Sequence, residues 1–126
     1  MNDGKQLLLE AAAIGAGYKA LNGKVYGIAG QHQARTTYDL LCDNDLYWNP
    51  LVDDGDALRL ACDLEIQLDW YVHPDGTKKA RAFYKGIQNS QVYSDNKDKQ
   101  VVSRLAIVWV AAENSERLCN EPRNDT

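Results

Sequence analysis

Phenylalanine occurs once in the 126 residues, histidine twice, and proline and cysteine three times each. Three cysteines at wide spacings (Cys42, Cys62 and Cys119) fit neither a disulfide framework nor a CxxC metal knuckle, so reduced, structural thiols are expected. Neither His32 nor His73 has a Cys, Asp or Glu at metal-ligand spacing within a rigid element. Both are expected in loops, with no metal or other cofactor. Phosphate fingerprints are missing too: Gly15-Ala16-Gly17 follows a helical pattern instead of opening one, and Gly27 with Gly30 lacks the rest of any such motif. No Ser or Cys sits in a nucleophile elbow, although a pair made of Cys42 and either histidine stays open at this level. The longest strongly apolar run, Leu105 to Ala112, is far short of the roughly 20 residues of a membrane span, and the first residues lack the layout of a secretion signal. These shortages lead us to expect a cytoplasmic protein with no membrane partner. Cations are outnumbered, 14 Lys and Arg against 18 Asp and Glu for a net charge of −4, which argues against a nucleic-acid partner held by counterion release.

What is present fits one small α+β domain, here bounded at residues 1–119, with a polar tail at 120–126 that carries Pro122. Asp3 and Gln6 resemble a capping box ahead of Leu7, Ala11 and Ile14 at helical spacing, which predicts a helix over about 4–16. Asn22-Gly23 between β-formers predicts a hairpin from Tyr18–Leu21 and Lys24–Ile28. Residues 30–46 have no clear period beyond a possible helical turn at Thr36–Leu41, and so read as a long excursion. A second helix is expected over about 54–64, capped by Asp53, with Asp54 and Asp56 in its first turn complementing the helix dipole. Alternation over residues 66–72 and 80–85 predicts a second hairpin, with a short strand at 91–93, and Val101 to Leu118 reads as a third helix despite β-rich residues 105–110. The expected architecture is a mainly antiparallel sheet from two hairpins, covered on one face by the second and third helices. Apolar residues surround most of that third helix, from which we expect a homo-oligomer.

The segment Trp48-Asn49-Pro50-Leu51-Val52-Asp53-Asp54-Gly55-Asp56-Ala57-Leu58-Arg59-Leu60-Ala61 resembles one shared by a group of small, uncharacterised proteins of tailed phages and prophages. Arg104, Ala106, Ile107, Val108, Ala111, Ala112 and Glu113 match a comparable run in the C-terminal helix of that group, while residues 30–46 depart from it. The resemblance implies a phage or prophage origin and supplies no activity.

Tyr and Trp total ten against the single Phe. Such rings suit half-exposed recognition surfaces as well as sheets. Together with the shortage of catalytic motifs, this favours a non-enzymatic accessory protein that binds a host protein or a small anionic ligand, of the kind used as nucleotide defence signals. In that reading Tyr47 or Trp48 stacks on a base, Asn49 reads an edge, and Arg59 or Arg104, the latter near Trp109, holds phosphate. An inhibitor of a host complex acting by protein contact, a metal-dependent enzyme using Asp53, Asp54 and Asp56, and a virion component are the alternatives.

Overall fold

The structure, a computed structural model, describes residues 4–120, with side chains described through Leu118. Asp3, Cys119's side chain and the tail from residue 121 lie outside the described residues. In chain order the elements are α1 (Gly4–Gly15), β1 (Lys19–Leu21), β2 (Lys24–Tyr26), β3 (Leu40–Leu41), β4 (Tyr47–Trp48), α2 (Asp54–Leu64), β5 (Gln67–Val72), β6 (Lys78–Tyr84), β7 (Ile87–Tyr93) and α3 (Asn96–Asn120). The α+β class and the three helices are as the sequence predicts. The single sheet is not: there are two, one ordered β1-β2-β3-β4 and the other β5-β6-β7.

The first sheet opens on the expected hairpin, whose Asn22 and Gly23 both take positive φ (54° and 81°), the backbone that Asn-Gly tolerates best. It then acquires a parallel pairing of Lys24 with Leu41 and a two-residue hairpin partner in β4. The turn predicted at 36–41 therefore stops at Tyr38, and Leu40 and Leu41 are extended. These strands are too short to show a period, which is why the excursion reads as patternless. Side chains hold it instead: Asn44 accepts from the Gly30 N–H (3.0 Å) and donates to the Gly30 carbonyl (2.9 Å).

The second sheet is an antiparallel meander whose third strand is seven residues long, not the three expected. Its inner face carries Ala80 and Ala82, both fully buried, and their small side chains let α3 lie close against β6 and β7. The helix starts earlier than predicted because Asp95 caps it, accepting the Asp98 N–H at 2.8 Å while its carbonyl accepts from Lys99. Residues 105–110 stay helical because α1 covers the side of α3 that the meander does not, with α2 alongside. Val108, Val110 and Ala111 have no exposed surface. Much of the apolar pattern of α3 is thus covered within one chain, while Val101, Trp109 and Leu118 are left at the surface.

The α1–α3 contact is close enough to need glycine. A Cβ on Gly15 would fall 1.8 Å from the Ala111 carbonyl oxygen, and the Gly15 carbonyl accepts from the buried Asn114 amide at 2.8 Å. Alanine is the better helix former by about 1 kcal/mol, but forcing backbones apart in a packed core costs about 1–3 kcal/mol. Gly15→Ala is therefore expected to lower the urea midpoint clearly. Gly4→Ala, whose Cβ would meet nothing within 4 Å, is expected to leave it unchanged or raise it slightly.

Candidate functional site

Two features converge on α2: a buried polar network at its N-terminus and an open groove along its flank. The network begins with Asp53, the N-cap, whose carboxylate accepts the Asp56 N–H at 2.8 Å. Asp56 itself, placed by the sequence in the first turn as a dipole partner, is completely buried. One of its oxygens accepts from His32 Nε2 (2.7 Å) and the Asn49 N–H (2.8 Å), and the other from Arg59 Nη2 (2.5 Å). Arg35 donates to Asp53 at 2.8 Å. Asp39 accepts from the Arg35 N–H (2.8 Å), the Thr36 hydroxyl and the Asn49 side-chain amide (2.6 Å). Asp53 and Asp56 thus face the His32 ring and the Arg35 and Arg59 guanidiniums, Asp39 takes backbone and neutral donors, and the excursion 30–46 is tied to the start of α2.

The surroundings of His32 favour its charged form. Its Nδ1 faces the Gln33 carbonyl at 3.0 Å and its Nε2 faces the Asp56 carboxylate, and both oxygens can only accept. Burial opposes the charge, but the Asp56 hydrogen bond, the Gln33 carbonyl and the Asp56 charge outweigh it and hold the ring above its ordinary value. Burial likewise opposes ionisation of Asp39 and Asp53, yet backbone N–H groups, Thr36 and Asn49 for the first, and the Asp56 N–H and Arg35 for the second, pull both below the usual carboxylate range. His32, Asp53 and Asp56 offer donor atoms within 4.8 Å of one another, which the spacing in sequence does not reveal. Their oxygens and nitrogens already serve one another, Arg35, Arg59 and the α2 backbone, so the trio has the chemistry of an internally neutralised clasp. Cys42 is buried, and that burial, with the charges of Asp56 and Asp43, pushes its thiol up to about 11, which keeps it out of the thiolate form a nucleophile needs.

The groove runs between α2 and the first half of α3, bordered by β5, with a volume of about 950 Å³. Ala57, Ala61, Ile66, Leu68 and Ile107 make it apolar. Trp70 stands at one side, 46% exposed, its indole N–H donating to Ser103 at 2.8 Å and the Lys99 ammonium 5.0 Å from its ring centre. Arg104 stands further along, where its Nε donates to the Leu51 carbonyl (2.9 Å) and its Nη1 to Asp54 (2.6 Å). At the rim Leu58 is 65% exposed.

The six residues singled out from the sequence are not brought to one place. Trp48 is buried in the core edge-on to Tyr18, with ring centres 6.0 Å apart, and Asn49 is fully buried with its amide engaged by Asp39 and Thr36. Tyr47 is half-buried in β4, and the Arg59 guanidinium rests on Asp56. Arg104 lines the groove. Trp109 lies on another side of α3, with Tyr38, Leu8 and Leu105 around a separate hollow of about 750 Å³. Trp70 and Lys99 were missed because the alternation of β5 marks Trp70 as an inward residue. It is inward, but it sits on an edge strand where α3 covers it only partly. Comparison of the chain with protein-family models, with curated proteins and with solved structures finds no significant match.

The clasp generates a pH dependence with a definite sign. A histidine held above its ordinary pKa of about 6.5 contributes stability fully below that value, and the contribution is lost as pH rises through the raised folded value. Chemical denaturation of the protein is expected to show falling stability from about pH 6 into the alkaline range, and His32→Gln to flatten that part of the profile. Asp56→Asn places an amide donor among three donors and is expected to cost at least about 2 kcal/mol at neutral pH. An unchanged denaturation midpoint would show that the clasp contributes nothing.

Proposed function

We propose that this chain is a non-enzymatic accessory protein, of the phage or prophage type that its Trp48–Ala61 segment resembles, and that it captures an anionic ligand bearing an aromatic ring, of the nucleotide class, in the α2–α3 groove. The observation that carries this reading is the half-exposed Trp70 indole with the Lys99 ammonium at its ring, over an apolar floor that Arg104, held by Asp54, borders further along. A base stacked on one ring gains about 1–3 kcal/mol, and each charge-assisted phosphate contact about 1.5–3 kcal/mol. After association costs of at least about 4 kcal/mol, one stacked ring and two such contacts leave at most about 5 kcal/mol, so micromolar capture draws about 3 kcal/mol more from burial of the ligand on the apolar floor. Capture without turnover agrees with the commitment of His32 at both ring nitrogens and with the protonated Cys42 thiol. The ligand-reading roles first assigned to Trp48 and Asn49 pass in this reading to Trp70 and the groove wall.

A protein partner is the second reading, favoured by Leu58 exposed at the rim. An amphipathic helix of a host complex would seat its apolar face in the same groove. Calorimetry with linear and cyclic nucleotides separates the two. Binding in the micromolar range, weakened about tenfold or more by Trp70→Ala and by Lys99→Glu, is expected. No heat at several hundred micromolar across the panel, or undiminished binding in both variants, overturns nucleotide capture and leaves the protein partner.

A further inference from the structure

The outer face of the meander, the one turned away from α3, has no role in that reading. The register places Gln67, Phe83 and Gln88 in one row across it, Asp69, Arg81 and Ser90 in the next, and Tyr71, Lys79 and Val92 in the third. Ala80 and Ala82 point the other way into the core. On this face the Arg81 guanidinium lies between two rings, 5.0 Å from the Tyr71 centroid and 5.2 Å from that of Phe83, and the His73 ring follows 5.2 Å beyond Tyr71. Asp69 fixes Arg81 with two hydrogen bonds, from Nε at 3.1 Å and from Nη2 at 2.7 Å. Phe83, Arg81, Tyr71 and His73 thus form a row of four planar groups across a solvent-facing sheet. Beside Phe83, a hollow of about 340 Å³ opens among Arg81, Gly86, Ile87 and Gln88, at the small end of the range for ligand pockets.

Charge is distributed to match. The chain as a whole carries −4, yet residues 67–93 hold Lys78, Lys79, Arg81 and Lys85 against only Asp69 and Asp75. The meander is therefore positive by two and the remainder negative by six. Net charge argues against a polyanion partner only when the charge is evenly spread, and here it is not. Arg81 is neutralised by Asp69, Lys78 alternates to the inner face with Ala80, and Lys85 lies over the Tyr84 ring, so attraction on this face falls to Lys79, while Arg81 contributes a flat face on which a base can stack.

We propose that the outer face of β5-β6-β7 is a docking surface for single-stranded nucleic acid. Bases stack along the row from Phe83 to His73, the amides of Gln67 and Gln88 and the Ser90 hydroxyl meet base edges, and Lys79 holds a phosphate. A duplex, whose bases are already stacked on one another, cannot use the row. With few phosphates neutralised, binding is weak and loses affinity with salt at a shallow slope, near −0.7 per phosphate contacted.

Fluorescence anisotropy of labelled uridine and thymidine 12-mers against the full chain tests this at about 50 and about 200 mM salt. Micromolar binding is expected for the single strands and at least about tenfold weaker binding for a blunt duplex of the same length. Tyr71→Ala with Phe83→Ala is expected to weaken single-strand binding about tenfold or more, and Lys79→Glu about threefold or more, while Trp70→Ala in the α2–α3 groove is expected to weaken it less than either. That last arm separates this surface from the nucleotide groove, since either can fail without the other. Absence of any anisotropy change up to about 100 µM protein at the lower salt overturns the proposal, as does binding lost in Trp70→Ala but kept in the sheet variants. Circular dichroism checks the double variant. Should it unfold, Lys79→Glu decides, and wild-type affinity in that variant overturns the proposal.

Discussion

One buried carboxylate organises the first half of this protein. Asp56 gathers a histidine from the excursion, a backbone N–H from the segment after β4 and an arginine one turn along its own helix. Removing a carboxylate from water is costly unless charge and hydrogen bonds replace the water, and here both oxygens are served. The partners come from positions 32, 49 and 59, so the requirement to satisfy one side chain fixes how three chain segments meet. Asp39 repeats the arrangement on a smaller scale, and Asn49 joins the two by giving its backbone N–H to Asp56 and its side-chain amide to Asp39. Such a clasp compensates for strands of two residues, which have too few ladder bonds to hold the excursion.

The parts of the fold legible in the sequence are those whose cause is local. The Asn22-Gly23 turn, the Asp53 cap and the alternation of β5 and β6 are each written within a few residues, and each is found as read. What escapes reading has a distant cause. His32 reads as a loop residue because its partner lies 24 positions away. The division into two sheets escapes because period-2 alternation reports which face a residue takes and not which sheet the strand joins. The third strand is underestimated because Gln88, Asn89 and Ser90 are polar on both faces and Gly86 interrupts the pattern just before it.

The candidate site was legible in kind and not in position. The surplus of Tyr and Trp over Phe does mark amphipathic positions, but Trp48 is interior while Trp70 is half exposed. Trp70 alternates within β5 as read, whereas β4 is too short to alternate. The difference is whether a helix covers the strand, which depends on α3 passing over β6 and β7 while leaving the β5 edge partly open. Arg104 was rightly separated from its apolar neighbours, because a guanidinium in such a stretch must find oxygen. It finds the Leu51 carbonyl and Asp54, 53 and 50 residues away.

The close packing of α1 on α3 has a kinetic side. The meander joins neighbours in sequence, and α2 forms within itself, so both need only short loops to close. The Gly15 to Asn114 contact closes a loop of 99 residues, and its entropy must be lost before any of its packing is gained. The order of assembly that follows is meander first, α3 laid upon it, and α1 last. The apolar flank of α3 that receives α1 stays uncovered until that final step, which makes it the surface through which partly folded chains would associate.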